Sequence, residues 1–239
     1  MGRPGPARAG EALVAVAANF AEATDTLKAE FRRRTGHTLI VTTGSTGKLY
    51  AQIVAGAPFE ILLSADAKTP LKLEEEGKAV AGTRFTYATG KLTLWSADAD
   101  RIGADGKAAL SDPALRYVAI ANPDLAPYGV AARETLVAMG LWEQLQPKIV
   151  MGQNIGQTFS MVDTGAAEVG FVALSAVQSP RAPAKGSHWD VPPDLFKPIR
   201  QDAILLNPGR DNEAAVAFLD FLRTDPALAV IESYGYAFD

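Results

Sequence analysis

Short apolar runs alternate with helical patterns along most of the 239-residue chain. Apolar runs bounded by turn residues favour buried strands, and apolar positions that recur every three or four residues favour amphipathic helices. Strands that alternate with helices predict an α/β fold with largely parallel sheets. Strands are predicted at residues 12–17, 39–41, 59–64, 92–95, 117–121, 148–151, 170–174 and 203–206.

Several of the predicted helices have recognisable first and last residues. Asn19 is expected to cap the first helix, with Glu22 three residues later as its capping-box partner, and Gly36 to end that helix. Thr69 and Gly77 are expected to bound a later helix. Further helices are predicted directly after residues 44–47 and at 130–139, 157–163, 213–222 and 226–233.

Two stretches interrupt this alternation. Residues 81–90 and 179–198 are the weakest points of the pattern, and residues 179–193 are rich in proline and are interpreted as a loop. A chain of this length can form two lobes of roughly 120 residues each. Each stretch is therefore a predicted connection between two lobes.

Composition excludes several kinds of chemistry. The chain has no cysteine and only two histidines, which excludes disulfides, a cysteine nucleophile and thiolate or multi-histidine metal sites. Neither His37 nor His188 belongs to a nucleophile pattern, so both are interpreted as surface or packing residues. The net charge of −4 and the lack of a long basic tract argue against a nucleic-acid surface. No stretch approaches the ~18 apolar residues of a membrane span.

The first ten residues carry two arginines and two prolines but no apolar run, so the h-region of a signal peptide is missing. Residues 7–9 nevertheless have the small-x-small spacing that signal peptidase cuts. Two interpretations of residues 1–9 stay open. They are a disordered extension, or the remnant of an export signal whose apolar part was replaced or shortened.

Four predicted strand-to-helix turns are built from small or polar residues. They are residues 18–19, 44–47, 126–129 and 153–156. The first N–H groups of a helix have no partner within the helix, and they carry the positive end of its dipole, so such turns attract anions. Ligands of open α/β sheets bind at the carboxyl ends of the strands, where these turns are expected. An anion-binding cleft and four ordinary helix caps both fit this pattern.

The glycine-containing turn at residues 44–47 lacks the requirements of two well-known motifs. A P-loop needs a glycine and a Ser or Thr at positions that Thr42 and Leu49 occupy here, which argues against nucleotide hydrolysis. Ser45 is not a nucleophile elbow, because the residue two places before it is Thr43 and not glycine.

A series of short motifs runs in one order along the chain. They are residues 17–20 (AANF), 44–53 (GSTGKLYAQI), 55–58 (AGAP), 63–66 (LSAD), 122–123 (NP), 127–129 (PYG), 170–174 (GFVAL) and 234–236 (YGY). In this order and spacing, from Glu11 to Asp239, the chain resembles the periplasmic molybdate-binding proteins. These are the solute-binding components of molybdate ABC importers.

The resemblance implies a two-lobed α/β fold of the type II periplasmic-binding-protein class. Each lobe would be a mostly parallel sheet flanked by helices, with the ligand cleft between the lobes. Lobe 1 would comprise residues 10–85 plus 201–239, and lobe 2 residues 86–200. These limits agree with the two weak stretches of the pattern.

The resemblance also implies an oxyanion site, at Asn19, Thr46, Tyr128 and Ile155. Asn19 would donate from its amide and its N–H, and Thr46 from its hydroxyl and its N–H. The second lobe would supply two backbone N–H groups. Some family members add a tyrosine hydroxyl where this chain has Ala173, so Ala18 and Ser45 are possible additional contacts.

The implied ligands include no charged side chain, which suits a fully ionised dianion that only accepts hydrogen bonds, whereas a protonated phosphate also needs an acceptor. The prediction is therefore a non-enzymatic periplasmic protein that binds molybdate, and tungstate of the same charge and similar size. It would need no cofactor and no direct cation ligand, and would act as a monomer beside an importer permease. Three alternatives remain: another oxyanion such as sulfate, a hydrolase or transferase on the same scaffold, and a regulator's effector domain.

Overall fold

The computed structural model describes residues 9–238, which form two five-stranded sheets in the orders β2-β1-β3-β10-β4 and β7-β6-β8-β5-β9. The predicted extension at residues 1–9 lies outside the described residues except for Ala9. The strands are β1 (Glu11–Ala17), β2 (Thr38–Gly44), β3 (Ile61–Leu63), β4 (Phe85–Gly90), β5 (Leu92–Ser96), β6 (Val118–Ala121), β7 (Ile149–Gly152), β8 (Val169–Ala173), β9 (Ser187–Asp190) and β10 (Ile199–Leu205).

Helices cover both faces of each sheet. They are α1 (Ala21–Thr35), α2 (Thr46–Val54), α3 (Lys68–Glu75), α4 (Gly106–Leu110), α5 (Pro127–Ala138), α6 (Trp142–Leu145), α7 (Ile155–Asp163), α8 (Leu174–Val177), α9 (Glu213–Phe221) and α10 (Asp225–Ser233).

Both sheets are mixed. In the first, β1 pairs in parallel with β2 and β3, while β10 runs antiparallel to β3 and β4. In the second, β6 pairs in parallel with β7 and β8, while β5 runs antiparallel to β8 and β9. The two-lobed α/β fold is confirmed, but four strand pairings are antiparallel and four are parallel, so the sheets are less parallel than predicted.

The antiparallel strands are those that lead from one sheet to the other. Strand β4 ends at Gly90 in the first sheet and β5 begins at Leu92 in the second, so the chain crosses there with Lys91 between them. It returns through residues 191–198, between β9 and β10. Both crossings fall within or beside the stretches where the apolar pattern weakens.

Alternating side chains of β1 show how the first lobe is layered. Val14 and Val16 pack with α1, α9 and α10 on one face, where Phe31 contacts Phe218 edge-on at 5.2 Å between ring centroids. Ala15 points to the other face and packs with α2 and α3. Successive strand residues face opposite sides of a sheet, so a strand buried on both faces appears as a continuous apolar run.

The first helix begins differently from the prediction. A short 3-10 turn at Ala18–Phe20 precedes α1, and the Asn19 side chain makes no cap hydrogen bond. The expected capping box with Glu22 is therefore wrong, because the Glu22 carboxylate instead accepts a hydrogen bond from Ser179 Oγ at 2.6 Å. The predicted end is correct: Gly36 has φ of 79° and donates to the Arg32 carbonyl.

Candidate functional site

The four turns singled out in the sequence meet at one small cavity between the sheets. Its lining comes from the ends of β1 and β2 in one lobe and from the turns after β6 and β7 in the other. The lining residues are Ala17, Ala18, Asn19, Gly44, Ser45, Thr46, Ala65, Ala126, Pro127, Tyr128, Asn154 and Ile155. The cavity volume is about 10 Å³. Organic ligands need several hundred Å³, so this cavity suits a ligand of a few atoms.

Helix starts supply unpaired backbone donors around this cavity. Thr46 and Ile155 are the first residues of α2 and α7, and Tyr128 is the second residue of α5. N–H groups at these positions have no acceptor within their own helix, and the helix dipoles add partial positive charge. The cavity therefore receives donors from both lobes.

Side-chain caps at two of these helices occupy later N–H groups. Ser45 Oγ accepts from the Lys48 N–H at 3.4 Å, and Asn154 Oδ1 accepts from the Gln157 N–H at 2.9 Å. The caps leave the first N–H groups of both helices for another acceptor. The Ser45 hydroxyl, used here as an acceptor, still carries a proton to donate.

Thr46 is almost completely buried, and its hydroxyl oxygen accepts a hydrogen bond within the protein. Its Oγ1 accepts a hydrogen bond from the Ala65 N–H at 3.1 Å. A hydroxyl carries one proton in addition to its acceptor lone pairs, so that proton remains for an acceptor in the cavity. Sequence reasoning identified Thr46 but not Ala65, whose N–H fixes the direction of the hydroxyl.

Asn19 has an unexpected orientation. Its Nδ2 donates to Gln201 Oε1 at 2.9 Å and to the Tyr236 hydroxyl at 3.0 Å, so both amide protons are used within the protein. Its Oδ1 is buried and has no hydrogen-bond partner among the described residues. The expected donation from the Asn19 side chain to an anion stays a prediction.

Buried polar groups behind Asn19 form a network that the sequence did not reveal. Gln201, fully buried, donates from Nε2 to the Tyr128 hydroxyl at 3.2 Å and accepts at Oε1 from the Tyr87 hydroxyl at 3.1 Å. A bulge in the β10–β4 pairing, where Gln201 faces Ala88 and the next residue faces Thr86, leaves Tyr87 outside the regular register. The bulge therefore lets Tyr87 of β4 turn its side chain toward Gln201.

The tyrosines of this network keep their protons. Burial raises the pKa of the Tyr128 hydroxyl well above its usual value of 10.0, and the neighbouring Tyr236 raises it further. Burial likewise raises the pKa of Tyr236, against the opposing effect of its hydrogen bonds with Ser175 and Asn19. Neutral hydroxyls add no negative charge beside an anion.

Charged side chains are absent from the cavity lining within residues 9–238. A wider cleft of about 650 Å³ adjoins the cavity at Thr46, Ala65, Ala126 and Pro127. Charged residues stand in that cleft, among them Lys68, Lys72 and Lys197. Among the described residues, no cluster of His, Cys, Asp and Glu could hold a metal ion.

The two lobes touch on both sides of the cavity. The Gly47 N–H donates to the Leu125 carbonyl at 2.9 Å, and Ser175 Oγ donates to the Asn19 carbonyl at 3.3 Å. A β-carbon on Gly47 would lie 3.1 Å from the Leu125 oxygen, closer than ordinary contacts. The glycine therefore permits the close approach of the lobes.

Both histidines lie away from the cavity. His37 is buried, accepts from the Gly10 N–H at Nδ1 and stacks on Phe31. His188 lies on β9, and its side chain is 42% exposed. These positions agree with the packing and surface interpretations.

Comparison with known proteins identifies the family. The sequence pattern of the bacterial extracellular solute-binding proteins matches residues 12–237. The chain belongs to this family. Membership agrees with the expectation of a binding protein and not an enzyme. None of the described helices of this solute-binding protein is long and apolar enough to cross a membrane.

Individual relatives extend the comparison. A molybdate-binding protein from Rhodobacter capsulatus is 51% identical, over 99% of this solute-binding protein and 92% of its own length. The structure of the periplasmic molybdate-binding protein of Azotobacter vinelandii matches with a TM-score of 0.92 and 39% identity, covering 95% of this chain and 99% of that one. The resemblance found in the sequence is confirmed.

A more distant structure shares only the fold. The sulfate-binding protein of Mycobacterium tuberculosis matches with a TM-score of 0.77 at 14% identity, covering 96% of this chain and 86% of that one. The fold by itself therefore does not select an anion.

Proposed function

We propose that this solute-binding protein binds molybdate in the cavity between its lobes and delivers it to the membrane permease of an ABC importer. The observation that supports this most directly is the meeting of four helix-start turns at one small cavity whose lining, among the described residues, has no charged side chain. The identity of the anion is taken from the relatives, which are named as molybdate-binding proteins. Tungstate, with the same charge and similar size, is proposed to bind as well.

The proposed ligands act as donors only. Thr46 would donate from its hydroxyl and N–H, Tyr128 and Ile155 from their N–H groups, and Asn19 from its N–H and amide, with Ser45 and Ala18 as additional contacts. A dianion accepts every such bond, and each bond to a charged group contributes about 1.5–3 kcal/mol. Protonated phosphate would place a donor against these donors.

The lobe division at residues 10–85 plus 201–239 and 86–200 is proposed with the hinge at the two crossings described above. Because β4 and β10 pair within the first sheet, the crossings at Lys91 and residues 191–198 are the proposed bending points. We further propose a monomeric protein exported to the periplasm, where it meets the permease.

A thermal-shift panel with molybdate, tungstate, sulfate, phosphate and chromate tests the function. A ligand that binds only the native state raises the melting temperature by mass action. We expect molybdate and tungstate to raise it at micromolar concentration, with no effect of sulfate or phosphate. Calorimetry of molybdate in excess sulfate then tests selectivity. If none of the five anions raises the melting temperature, the proposal is contradicted. If sulfate raises it as much as molybdate does, the ligand is sulfate and not molybdate.

A further inference from the structure

An unsatisfied oxygen marks the side chain that borders the proposed anion. Asn19 lines the cavity, but its Nδ2 is directed to Gln201 and Tyr236, which do not line it. The opposite end of the amide, Oδ1, is buried without a partner among the described residues. An amide oxygen only accepts hydrogen bonds, so this end of the Asn19 side chain cannot donate to a dianion.

Reversing the Asn19 amide alone would bring two oxygens together. Gln201 Oε1 lies 2.9 Å from Asn19 Nδ2, and after reversal it would face Asn19 Oδ1. If Gln201 reverses as well, its Nε2 donates to Asn19 Oδ1 and its Oε1 accepts the proton of the Tyr128 hydroxyl, now 3.2 Å from Nε2. The two amides must therefore turn together.

The other members of the network can follow the reversal with the loss of one hydrogen bond, which the bond from Asn19 to the anion would replace. The Tyr236 hydroxyl, 3.0 Å from the Asn19 amide, would turn its proton from the Asn19 carbonyl, 2.8 Å away, to Oδ1, while Ser175 Oγ keeps its hydrogen bond to that carbonyl at 3.3 Å. The Tyr87 hydroxyl proton lies between the Ser64 carbonyl at 2.9 Å and Gln201 Oε1 at 3.1 Å, so it can keep the shorter bond while the hydroxyl oxygen accepts from Gln201. Hydroxyls both donate and accept, which makes the network reversible.

We propose that Gln201 is a positioning residue whose amide sets the orientation of Asn19, and that anion binding reverses both amides so that Asn19 Nδ2 faces the cavity. This inference rests on the proposed function. It assigns a role in anion binding to a residue that does not line the cavity.

A double-mutant cycle in calorimetry with molybdate tests the coupling. Gln201→Glu, measured at a pH where the new carboxyl is ionised, introduces a group that only accepts, so it holds Asn19 Nδ2 away from the cavity. We expect a loss of at least a hundredfold in affinity, part of it from charge repulsion. In the Asn19→Ala background only the charge effect remains, so the loss there is expected to be at least tenfold smaller. Equal losses in both backgrounds would overturn the inference.

Gln201→Met keeps the length of the side chain without charge, donor or acceptor. We expect about a tenfold loss of affinity that disappears in the Asn19→Ala background, and this cycle decides the question if Gln201→Glu lacks a cooperative melting transition. The same change at exposed Gln178, which does not line the cavity, should leave affinity unchanged. Losses that multiply independently of Asn19 would mean that Gln201 contributes packing alone.

The NMR signals of the side-chain amides provide a further test, because they would not shift on binding if Gln201 contributed only packing. In 15N-labelled protein, the NH2 signals of Asn19 and Gln201, assigned from their loss in the variants, should both shift on saturation with molybdate. Shifts confined to backbone amides would overturn the inference. If the unmodified chain does not bind molybdate, the proposed function fails as well. Binding with uncoupled losses overturns only the inference.

Discussion

The Thr46 hydroxyl connects stability and binding in one side chain. Thr46→Val keeps the size and branching of the buried residue but removes the oxygen that accepts from the Ala65 N–H at 3.1 Å. Leaving this buried N–H without a partner should lower the free energy of unfolding by about 1–3 kcal/mol. Because the shape is retained, no cavity term adds to this loss.

Binding should weaken in the same variant for a different reason. The Thr46 hydroxyl proton is the proposed donor to the anion, and a hydrogen bond to a charged group contributes about 1.5–3 kcal/mol. Since 1.4 kcal/mol corresponds to tenfold in affinity, calorimetry should show molybdate bound roughly ten- to a hundredfold more weakly.

Thr135→Val is a matched control for the substitution. Thr135 is fully buried in α5, its hydroxyl donates to the Ala131 carbonyl at 2.8 Å, and it does not line the cavity. Denaturant unfolding should show a stability loss in the control with unchanged molybdate affinity. If Thr46→Val folds and binds molybdate as tightly as the unmodified chain, the assignment of this hydroxyl is wrong.

Three further changes test the surroundings of the site. Gly47→Ala places a β-carbon 3.1 Å from the Leu125 oxygen, so we expect about tenfold weaker molybdate binding in calorimetry with an unchanged melting temperature. In Gly90→Ala the new β-carbon overlaps with the Tyr128 hydroxyl, and denaturant unfolding should show a loss of about 1–3 kcal/mol or more. Burial raises the pKa of Tyr87 above the unfolded value of 10.0, so stability should be complete below pH 10 and fall above it. Melting curves at pH 9 and 11 should show this fall, reduced in Tyr87→Phe; an unchanged fall would contradict this origin.

The parts of the fold that the sequence predicted are those with strong local signals. Long helices with a capping residue or a terminal glycine, such as α1 ending at Gly36, appear where their apolar period placed them. The short helices α4, α6 and α8 have four or five residues, too few for a period to be recognised, and they depend on packing. Strand β9 lies inside a proline-rich stretch at the edge of its sheet, where local composition favours a loop.

The site likewise has parts that local sequence signals predict and parts that they do not. Turns that open helices can be recognised locally, so the four turns that line the cavity were named in advance, whereas Ala65 was not. The network behind them depends on contacts distant in sequence, such as Asn19 with Gln201, 182 positions apart. Gln201 lies two residues before a predicted apolar strand. Its sequence position therefore indicates only a boundary between segments and no part in the site. Its position beside Tyr87 depends on a bulge that no short-range pattern predicts.

The lack of charge in the site has a consequence for release. A lysine or arginine would hold a dianion from one lobe alone, whereas backbone donors and hydroxyls hold it well only when all of them converge. Thr46 and Asn19 belong to the first lobe and Tyr128 and Ile155 to the second, so separating the lobes removes half of the proposed donors at once. The bonds lost would lower affinity by several powers of ten, since each contributes about 1.5–3 kcal/mol. Opening of the lobes against the permease would therefore suffice to release the anion, without a competing charge.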